Sequence, residues 1–557
     1  MSNQLSRRQL SIFPAEARHT ISPLIYGINV FEMNDTDFAA LIQAIKPSIV
    51  RWGGNATTRY NWENDFYNTG NDYYYENVPS DNPDRSELPN NSAADRFVQR
   101  NRAAGIESLI TVPLIGWVAK AKTDLNPLAH PFNCGFKVSK YGEQKQTDPY
   151  DRDCGNGIRL DDTSLITDND PTDTSIAVGT DFVNRWVSHL VGRFGNASAG
   201  GVSFYALDNE PGIWFETHRD VFPGYLSYEE LLKRNIDYAA AIRQADPNAQ
   251  ILGPVQDGWT RYFYSSYNSY PDTTAQADRD EHNGEAFVAW YLAQLYAWDR
   301  QNGQRTIDYF DLHYYPQADG IALSPAGDNT TQALRLRSTR SLWDASYVDE
   351  SWIEDTEDDN TAVQLIPRMR AWVNQHYPSL KLAISEYNWG AINDINGALA
   401  QADVLGIFGR EDVGLATFWG GANYDENGNE IQPALTADQP VAFAFCMYQN
   451  YDGQGSKFGD ISIAATSDDR EQLAIYAAQR SSDDALTLTI VNKSDTALSA
   501  QIDLGGFVGG QYAQHYCYSA TNLNLIEKQA DLPISNGAID RAFEAKSINL
   551  LVVAGSR

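Results

Sequence analysis

The chain is short of positive charge. Its 557 residues hold 42 Lys plus Arg against 73 Asp plus Glu, a formal net charge of −31. Binding to a phosphate backbone needs clustered Lys and Arg that release counterions, so nucleic acid is excluded as a partner. The same shortage argues against an anionic membrane surface. No apolar run approaches the roughly 20 residues that span a bilayer. The opening segment, MSNQLSRRQLSIF, lacks the apolar centre of a signal peptide. Cysteine is scarce too: Cys134, Cys154, Cys446 and Cys517 form no CxxC pair, which excludes dithiol-redox and zinc motifs. GxSxG, HExxH, P-loop and GxGxxG signatures are missing.

What is present is apolar and aromatic. At 42% hydrophobic and 12% aromatic, the chain can bury a core despite its acidity, which sets it apart from disordered acidic proteins. Most of its Trp, Tyr and Phe should pack in that core. The remainder offer flat faces that stack on neutral ligands such as sugar rings. Cys134 and Cys154 bracket a polar stretch, and a disulfide there would close a loop of about 20 residues and contribute about 3 kcal/mol. The alternative is two separate thiols. Cys446 and Cys517 lie in apolar surroundings and read as buried free thiols. A disulfide implies an oxidising compartment, so secretion with the signal removed is the expectation, and an intracellular protein is the alternative.

Short strand-like runs punctuate residues 24–419: Leu24–Val30, Ser48–Trp52, Ile106–Val112, Val202–Leu207, Gln250–Gly253, Tyr309–His313, Lys381–Ser385 and Val413–Trp419. Most are continuously apolar, as suits strands buried on both faces. Helical patterns lie between them, at Thr180–Phe194, at Ser227–Ala245 behind a Ser227/Glu230 capping box, and at Thr361–Tyr377 before Pro378. Strand–helix alternation of this kind predicts a TIM-like (β/α)8 barrel over residues 21–453. Residues 454–557 turn to short strands separated by Ser, Asp, Asn and Gly. With residues 1–20, which include the strand Arg8–Phe13, they predict a smaller all-β sandwich domain. Two connections, about 53–92 and 114–179, are longer than a barrel requires. Both leave C-terminal strand ends, where barrel enzymes build their sites, so they read as functional loops, with passive decoration as the alternative. No repeat, low-complexity linker or appended binding module is apparent, and a monomer is expected.

Two carboxylates are singled out by position. Glu210, in FYALDNEPG, follows the fourth run, and Glu386, in LAISEYNWG, follows the seventh. Across a barrel mouth they would lie about 5–6 Å apart, the separation of a double displacement. Glu386 would attack the anomeric carbon. Glu210 would be the general acid/base, its pKa held up by the charge of Glu386 and by burial. Asn209 would bond the sugar 2-hydroxyl, and Arg51 would keep Glu386 ionised. His313 and Tyr315 would orient Glu386, and Trp419 would floor the reacting sugar. Trp117 and Trp259 are expected as outer stacking platforms, with core packing as the competing reading for each aromatic. Tyr73, Tyr74 and Tyr75 are weaker candidates. Glu76, Asp148, Asp151 and Asp153 could supply hard oxygen ligands to a structural Ca²⁺, although their spacing is not that of an EF-hand. No cofactor is required for catalysis.

RWGGNATTRYNWEND at 51–65 with the following GNDYYYEN resembles glycoside hydrolase family 44. So do TVPLIGWVAK at 111–120, DNEPGIW at 208–214, HRD at 218–220, FDLHYYPQ at 310–317 and ISEYNWG at 384–390. The resemblance runs through the barrel and into the tail, and the GGNATTRYNWE block is its most specific part. It implies a retaining endo-β-1,4-glucanase on a TIM-like barrel with a β-sandwich, with Glu210 as acid/base and Glu386 as nucleophile. The implied substrates are β-glucan polysaccharides: soluble cellulose derivatives such as carboxymethylcellulose, mixed-linkage glucan and, in several members, xyloglucan. Lack of a binding module argues against action on crystalline cellulose. Two competing expectations are a barrel hydrolase of xylanase or mannanase specificity and a catalytically silent carbohydrate-binding barrel.

Overall fold

A computed structural model describes residues 7–30, 33–82, 84–121, 132–161, 164–268, 272–355, 362–424 and 429–556. Eight parallel strands close into a barrel. They are β1 (Gly27–Asn29), β2 (Ile49–Trp52), β3 (Glu107–Val112), β4 (Phe204–Leu207), β5 (Gln250–Gln256), β6 (Tyr309–Leu312), β7 (Lys381–Tyr387) and β8 (Leu415–Trp419). Every expected run overlaps one of them. The first run is only partly extended, because Pro23–Tyr26 forms a 3-10 turn whose Leu24 N–H donates to the Ser22 hydroxyl. Among the described residues no helix is long and apolar enough to cross a membrane.

The helix Thr180–Phe194 has the expected bounds. Ser227 caps Tyr228–Ala245 by accepting the Glu230 N–H at 3.1 Å, but the Glu230 carboxylate accepts from Arg234 at 2.8 Å instead of returning to the cap. Half of the capping box therefore forms. The next expected helix runs Leu365–His376; Thr361 lies outside the described residues.

Side chains alternate along a strand, so inward positions recur every second residue. The lower storey of the barrel is apolar, with Ile49, Leu109, Ala206, Leu252, Tyr309, Ala383 and Leu415 packed as one cluster. Two residues further along their strands stand Arg51, Thr111, Asp208, Asp311, Ser385 and Thr417, all fully buried. A polar storey thus lies between the apolar floor and the C-terminal mouth.

Ten further strands form one sheet, mostly antiparallel, and three short two-stranded ribbons lie apart from it. Arg8–Phe13 pairs antiparallel with Ile461–Ser467 and parallel with Leu498–Asp503, so Leu10 faces Ser467 on one side and Ile502 on the other. The sheet is already continuous through Ala538–Phe543, which pairs with both Leu498–Asp503 and Asn522–Ser535. Arg8–Phe13 adds a second join that closes it on itself around Leu10, Ile12, Leu488, Ile502 and Leu551. The sheet docks on the barrel helix Ile395–Arg410 through a buried node. Asp403 accepts from Lys493 at 2.6 Å, Thr339 at 2.6 Å and Tyr476 at 2.7 Å. Gly406 has to be glycine there, since a Cβ would lie 2.3 Å from the Tyr476 ring.

The two long connections knit together beside the mouth. Arg59 bonds Asp220 at 2.7 Å, Asn68 at 2.9 Å and Ser175 at 2.6 Å. Asn77 reaches the Thr174 and Lys120 carbonyls.

Candidate active site

Glu386 lies where the β7–β8 pairing slips register between Ile384 and Tyr387. Such an irregularity re-aims a side chain, here into the mouth. Arg51, from β2, donates Nη1 to Glu386 Oε1 at 2.5 Å and Nη2 to Asn209 Oδ1 at 2.8 Å. A Cβ on Gly53 would lie 2.3 Å from the Arg51 guanidinium carbon, which is why Gly follows Trp52. The Tyr315 hydroxyl donates to Glu386 Oε2 at 2.8 Å, and Asn29 Nδ2 approaches Oε1 at 3.5 Å. The Glu386 carboxylate is thus held from three sides.

Glu210 is placed by a strained turn at the end of β4. Asp208 and Glu210 have φ of 70° and 47°, in the left-handed region. The Asp208 carboxylate holds the turn, accepting from Thr58 at 2.7 Å, from the Asn209 N–H at 2.7 Å and from the N–H groups of Leu114 and Ile115. The Glu210 N–H donates to the carbonyl of Val255, itself at φ 60°, at 3.0 Å. His313 Nδ1 lies 2.8 Å from Glu210 Oε1. Burial pushes the Glu210 pKa up to about 8, and the Asp257 carboxylate adds to this while Arg51 opposes it. The neighbouring charge that matters most here is therefore Asp257, where the sequence had pointed to Glu386.

One carboxylate oxygen each of Glu210 and Glu386 and a His313 ring nitrogen all lie within 4.8 Å of one another. The Arg51 guanidinium already supplies the positive partner of this set, which suits it poorly to a metal ion. His313 is fully buried, and burial pulls its pKa below the ordinary imidazole value. Its Nδ1 is nearer Glu210 than Glu386, whose Oε2 is 3.6 Å away. Of the expected pair, Tyr315 contacts Glu386 and His313 contacts chiefly Glu210.

Trp419 ends β8, half-buried, with its carbonyl accepting from Asn388 at 2.8 Å. A Cβ on Gly421 would come within 2.9 Å of its ring, and one on Gly54 within 3.0 Å, so glycines keep the indole uncrowded. Trp117 is half-buried in a small ribbon, Trp117–Ala119 against Ser175–Ala177. The expectation for Trp259 is corrected. Only 4% exposed, it lies in the turn of helix Trp259–Phe263, against Tyr262 and Phe263 and under the Arg368 guanidinium, with no open face for a sugar. Tyr75 is also buried, edge-on to Phe136, while the Tyr73 hydroxyl donates to Asp148 at 2.6 Å.

Cys134 and Cys154 are disulfide-bonded, and Cys446 and Cys517 are buried free thiols. Beside the disulfide, the backbone of Glu76 bridges to that of Cys134. Glu76 and Asp148 are almost fully buried, and Glu76 Oε1 and Asp148 Oδ2 lack hydrogen-bond partners. Burial, then the Asp148 charge, pushes the Glu76 pKa up to about 8, with Asp151 contributing. Asp153 does not belong to this group: it accepts from the Ser139 N–H at 2.6 Å and hydroxyl at 2.9 Å, capping a short helix.

Several residues at the mouth escaped sequence reasoning. Asn55 accepts from Asn209 at 3.1 Å and donates to Asp72, whose pKa burial raises to about 6. Asp257 acts on Glu210, and Asp311 and Ser385 lie beneath His313. For Asp311 and Ser385 the available signal was a polar residue two places after an apolar inward one on the same strand; Asn55, Asp72 and Asp257 lie off the barrel strands and had none.

The architecture can be compared with known proteins. The family model described as glycoside hydrolase family 44 matches residues 66–318. "Endoglucanase A" of Paenibacillus lautus is 31% identical over 533 residues, covering 93% of this chain and 68% of that protein. The chain belongs to glycoside hydrolase family 44. Among solved structures, this family 44 enzyme resembles CelM2, a bifunctional glucanase-xylanase from a metagenome library, at 36% identity and a TM-score of 0.89 over 99% of both chains. It also resembles a Paenibacillus polymyxa xyloglucanase of family 44, at 27% identity and a TM-score of 0.77, covering 98% of this chain and 99% of that one. These matches span barrel and sheet alike, so the ten-stranded sheet is part of the glycoside hydrolase architecture and not an appendage.

Proposed function

We propose that this glycoside hydrolase is a retaining endo-β-1,4-glucanase acting on cellulose-type glucans, including carboxymethylcellulose, mixed-linkage glucan and xyloglucan. The observation that carries this reading is the pair of carboxylates with oxygens within 4.8 Å and opposite environments. A separation near 5 Å suits direct attack on the sugar, whereas an inverting pair needs roughly 6.5–9.5 Å to admit a water. Glu386, gripped by Arg51 and Tyr315, is the nucleophile. Glu210, with its pKa raised, protonates the leaving oxygen, and as a carboxylate it then takes a proton from the water that cleaves the glycosyl ester. Asn209 and Asn55 contact the hydroxyls of the reacting sugar, and Trp419 and Trp117 stack on the chain. The test is proton NMR of the first products from carboxymethylcellulose or xyloglucan. The β-anomer should appear first; an initial α-anomer refutes retention.

A second activity, on xylan, is favoured by the similarity to the bifunctional CelM2. Reducing-end release from xylan and mannan, measured beside the glucans, decides it. We further propose that Glu76 and Asp148, with Asp151 beside them, hold a structural Ca²⁺, which would supply the cation that the buried, unpartnered oxygens of Glu76 and Asp148 lack. Chelation should then lower the melting temperature by several degrees, and Ca²⁺ should restore it; an unchanged melt rejects the site. The disulfide supports a secreted enzyme.

A further inference from the structure

Beneath the two glutamates, one line of hydrogen bonds runs from the barrel's polar storey to the mouth. Asp311 Oδ1 accepts the Ser385 N–H at 3.0 Å, and Asp311 Oδ2 accepts the Ser385 hydroxyl at 2.6 Å. Burial pushes the Asp311 pKa up, while Arg51 and the two Ser385 bonds favour its carboxylate. With Asp311 as a carboxylate the hydroxyl hydrogen is committed downward, so Ser385 Oγ can offer only a lone pair to His313 Nε2, 3.1 Å away. Nε2 must therefore carry a hydrogen. The backbone that carries the ring is pinned as well. The His313 N–H donates to the Gln256 carbonyl at 2.8 Å, and its own carbonyl accepts from the Tyr262 hydroxyl.

We propose that Asp311 and Ser385 are positioning residues that lock His313 in the Nε2–H tautomer, so that a bare Nδ1 faces Glu210 and keeps the acid's proton in place. The proposal rests on the reading of Glu210 as general acid/base. Full burial keeps the imidazole neutral, with Arg51 adding to that effect and Glu386, Asp311 and Asp257 opposing it. A neutral Nε2–H ring presents a lone pair at Nδ1. With Glu210 Oε1 only 2.8 Å away, an ionised Glu210 would set two lone pairs against each other. A proton on Glu210 turns that repulsion into a hydrogen bond. The opposite tautomer would donate to Glu210, favour its carboxylate and weaken the acid. Asp257 and Asp72 also favour the protonated form, while Arg51 and Arg261 favour the ionised one.

The proton balance closes over the cycle. As Glu386 bonds to the anomeric carbon and the glycosidic bond breaks, Glu210 gives its proton to the leaving oxygen. The resulting carboxylate faces the bare Nδ1 with no donor from that side. It regains a proton from the water whose oxygen attacks the glycosyl ester, releasing Glu386. His313 stays neutral throughout and neither gains nor loses a proton.

Long-range ¹H–¹⁵N spectra of the full-length enzyme test the tautomer directly, with the His313 signals assigned by their loss in His313→Gln. A bare Nδ1 and a protonated Nε2 are expected; a protonated Nδ1 or an imidazolium near neutral pH overturns the lock. In Ser385→Ala the ring is released to the other tautomer. The alkaline limb of kcat/KM should then fall by about one pH unit, about a tenfold loss above that limb, while aryl glycosides with good leaving groups are spared and KM holds. An unmoved limb in a folded Ser385→Ala overturns the role of the serine. Failure of the underlying reading looks different: Glu210→Ala would lose activity equally on polymer and on activated aryl glycosides, whatever the His313 spectrum shows.

Discussion

The two sides of the barrel mouth treat the same side chain in opposite ways. On one side Glu386 accepts from the Arg51 guanidinium of β2, from the Tyr315 phenol that follows β6 and, at longer range, from the Asn29 amide of β1. On the other side, Glu210 is desolvated, faces Asp257 and meets a histidine whose nearest nitrogen is an acceptor. One environment completes a negative charge and the other opposes it. Two roles in one reaction are thus set by neighbours and not by residue type, and the separation of roles should be open to attack from either side.

The largest effect should come from removing the completed charge. Glu386→Gln is expected to lower kcat by about 10⁴-fold or more, because no neighbouring group can replace the nucleophile. Substantial residual turnover with retention would deny Glu386 that role. A smaller effect is expected when the charge stays but its holder changes. Arg51→Lys keeps a cation yet loses the planar fork that reaches Glu386 and Asn209 together. A drop in kcat of about 10–100-fold is expected, with stability lowered by about 1–3 kcal/mol in thermal melts. Wild-type kinetics in Arg51→Lys would mean that charge alone suffices.

The smallest effect should come from the other side. Glu210 works as an acid only while protonated, so activity is lost as pH rises through its pKa of about 8. Asp257→Asn removes a like charge, lowers that pKa and should move the alkaline limb down by about half a unit. A limb that stays in place would remove Asp257 from the causes of the raised pKa.

The barrel was legible because strands buried on both faces read as short apolar runs, and β2 through β8 stand out that way. Glu210 and Glu386 were legible because each follows such a run directly. Asp311 and Ser385 were not, since a single polar residue inside an apolar run shows its direction only once the barrel closes. Trp259 was misjudged for a related reason. It sits nine residues after the start of β5, and only the short helix Trp259–Phe263 turns its ring inward. Asp72 and Asp257 come from irregular segments whose course carries no periodic signal. That Arg8–Phe13 belongs with the C-terminal strands was legible, but its two partners, and the closing of the sheet on itself, were hidden, because strands almost the whole chain apart leave no local mark of their pairing.

That pairing bears on how the molecule is made. The strand Arg8–Phe13 has no neighbour until Ile461–Ser467 and Leu498–Asp503 exist. At synthesis rates of about 5–20 residues per second, this strand waits tens of seconds for its partners. Leu10 and Ile12 stay uncovered through that interval. Trimming the enzyme just after the barrel would leave them exposed permanently, so an active barrel freed of its sheet would need its leading strand removed as well.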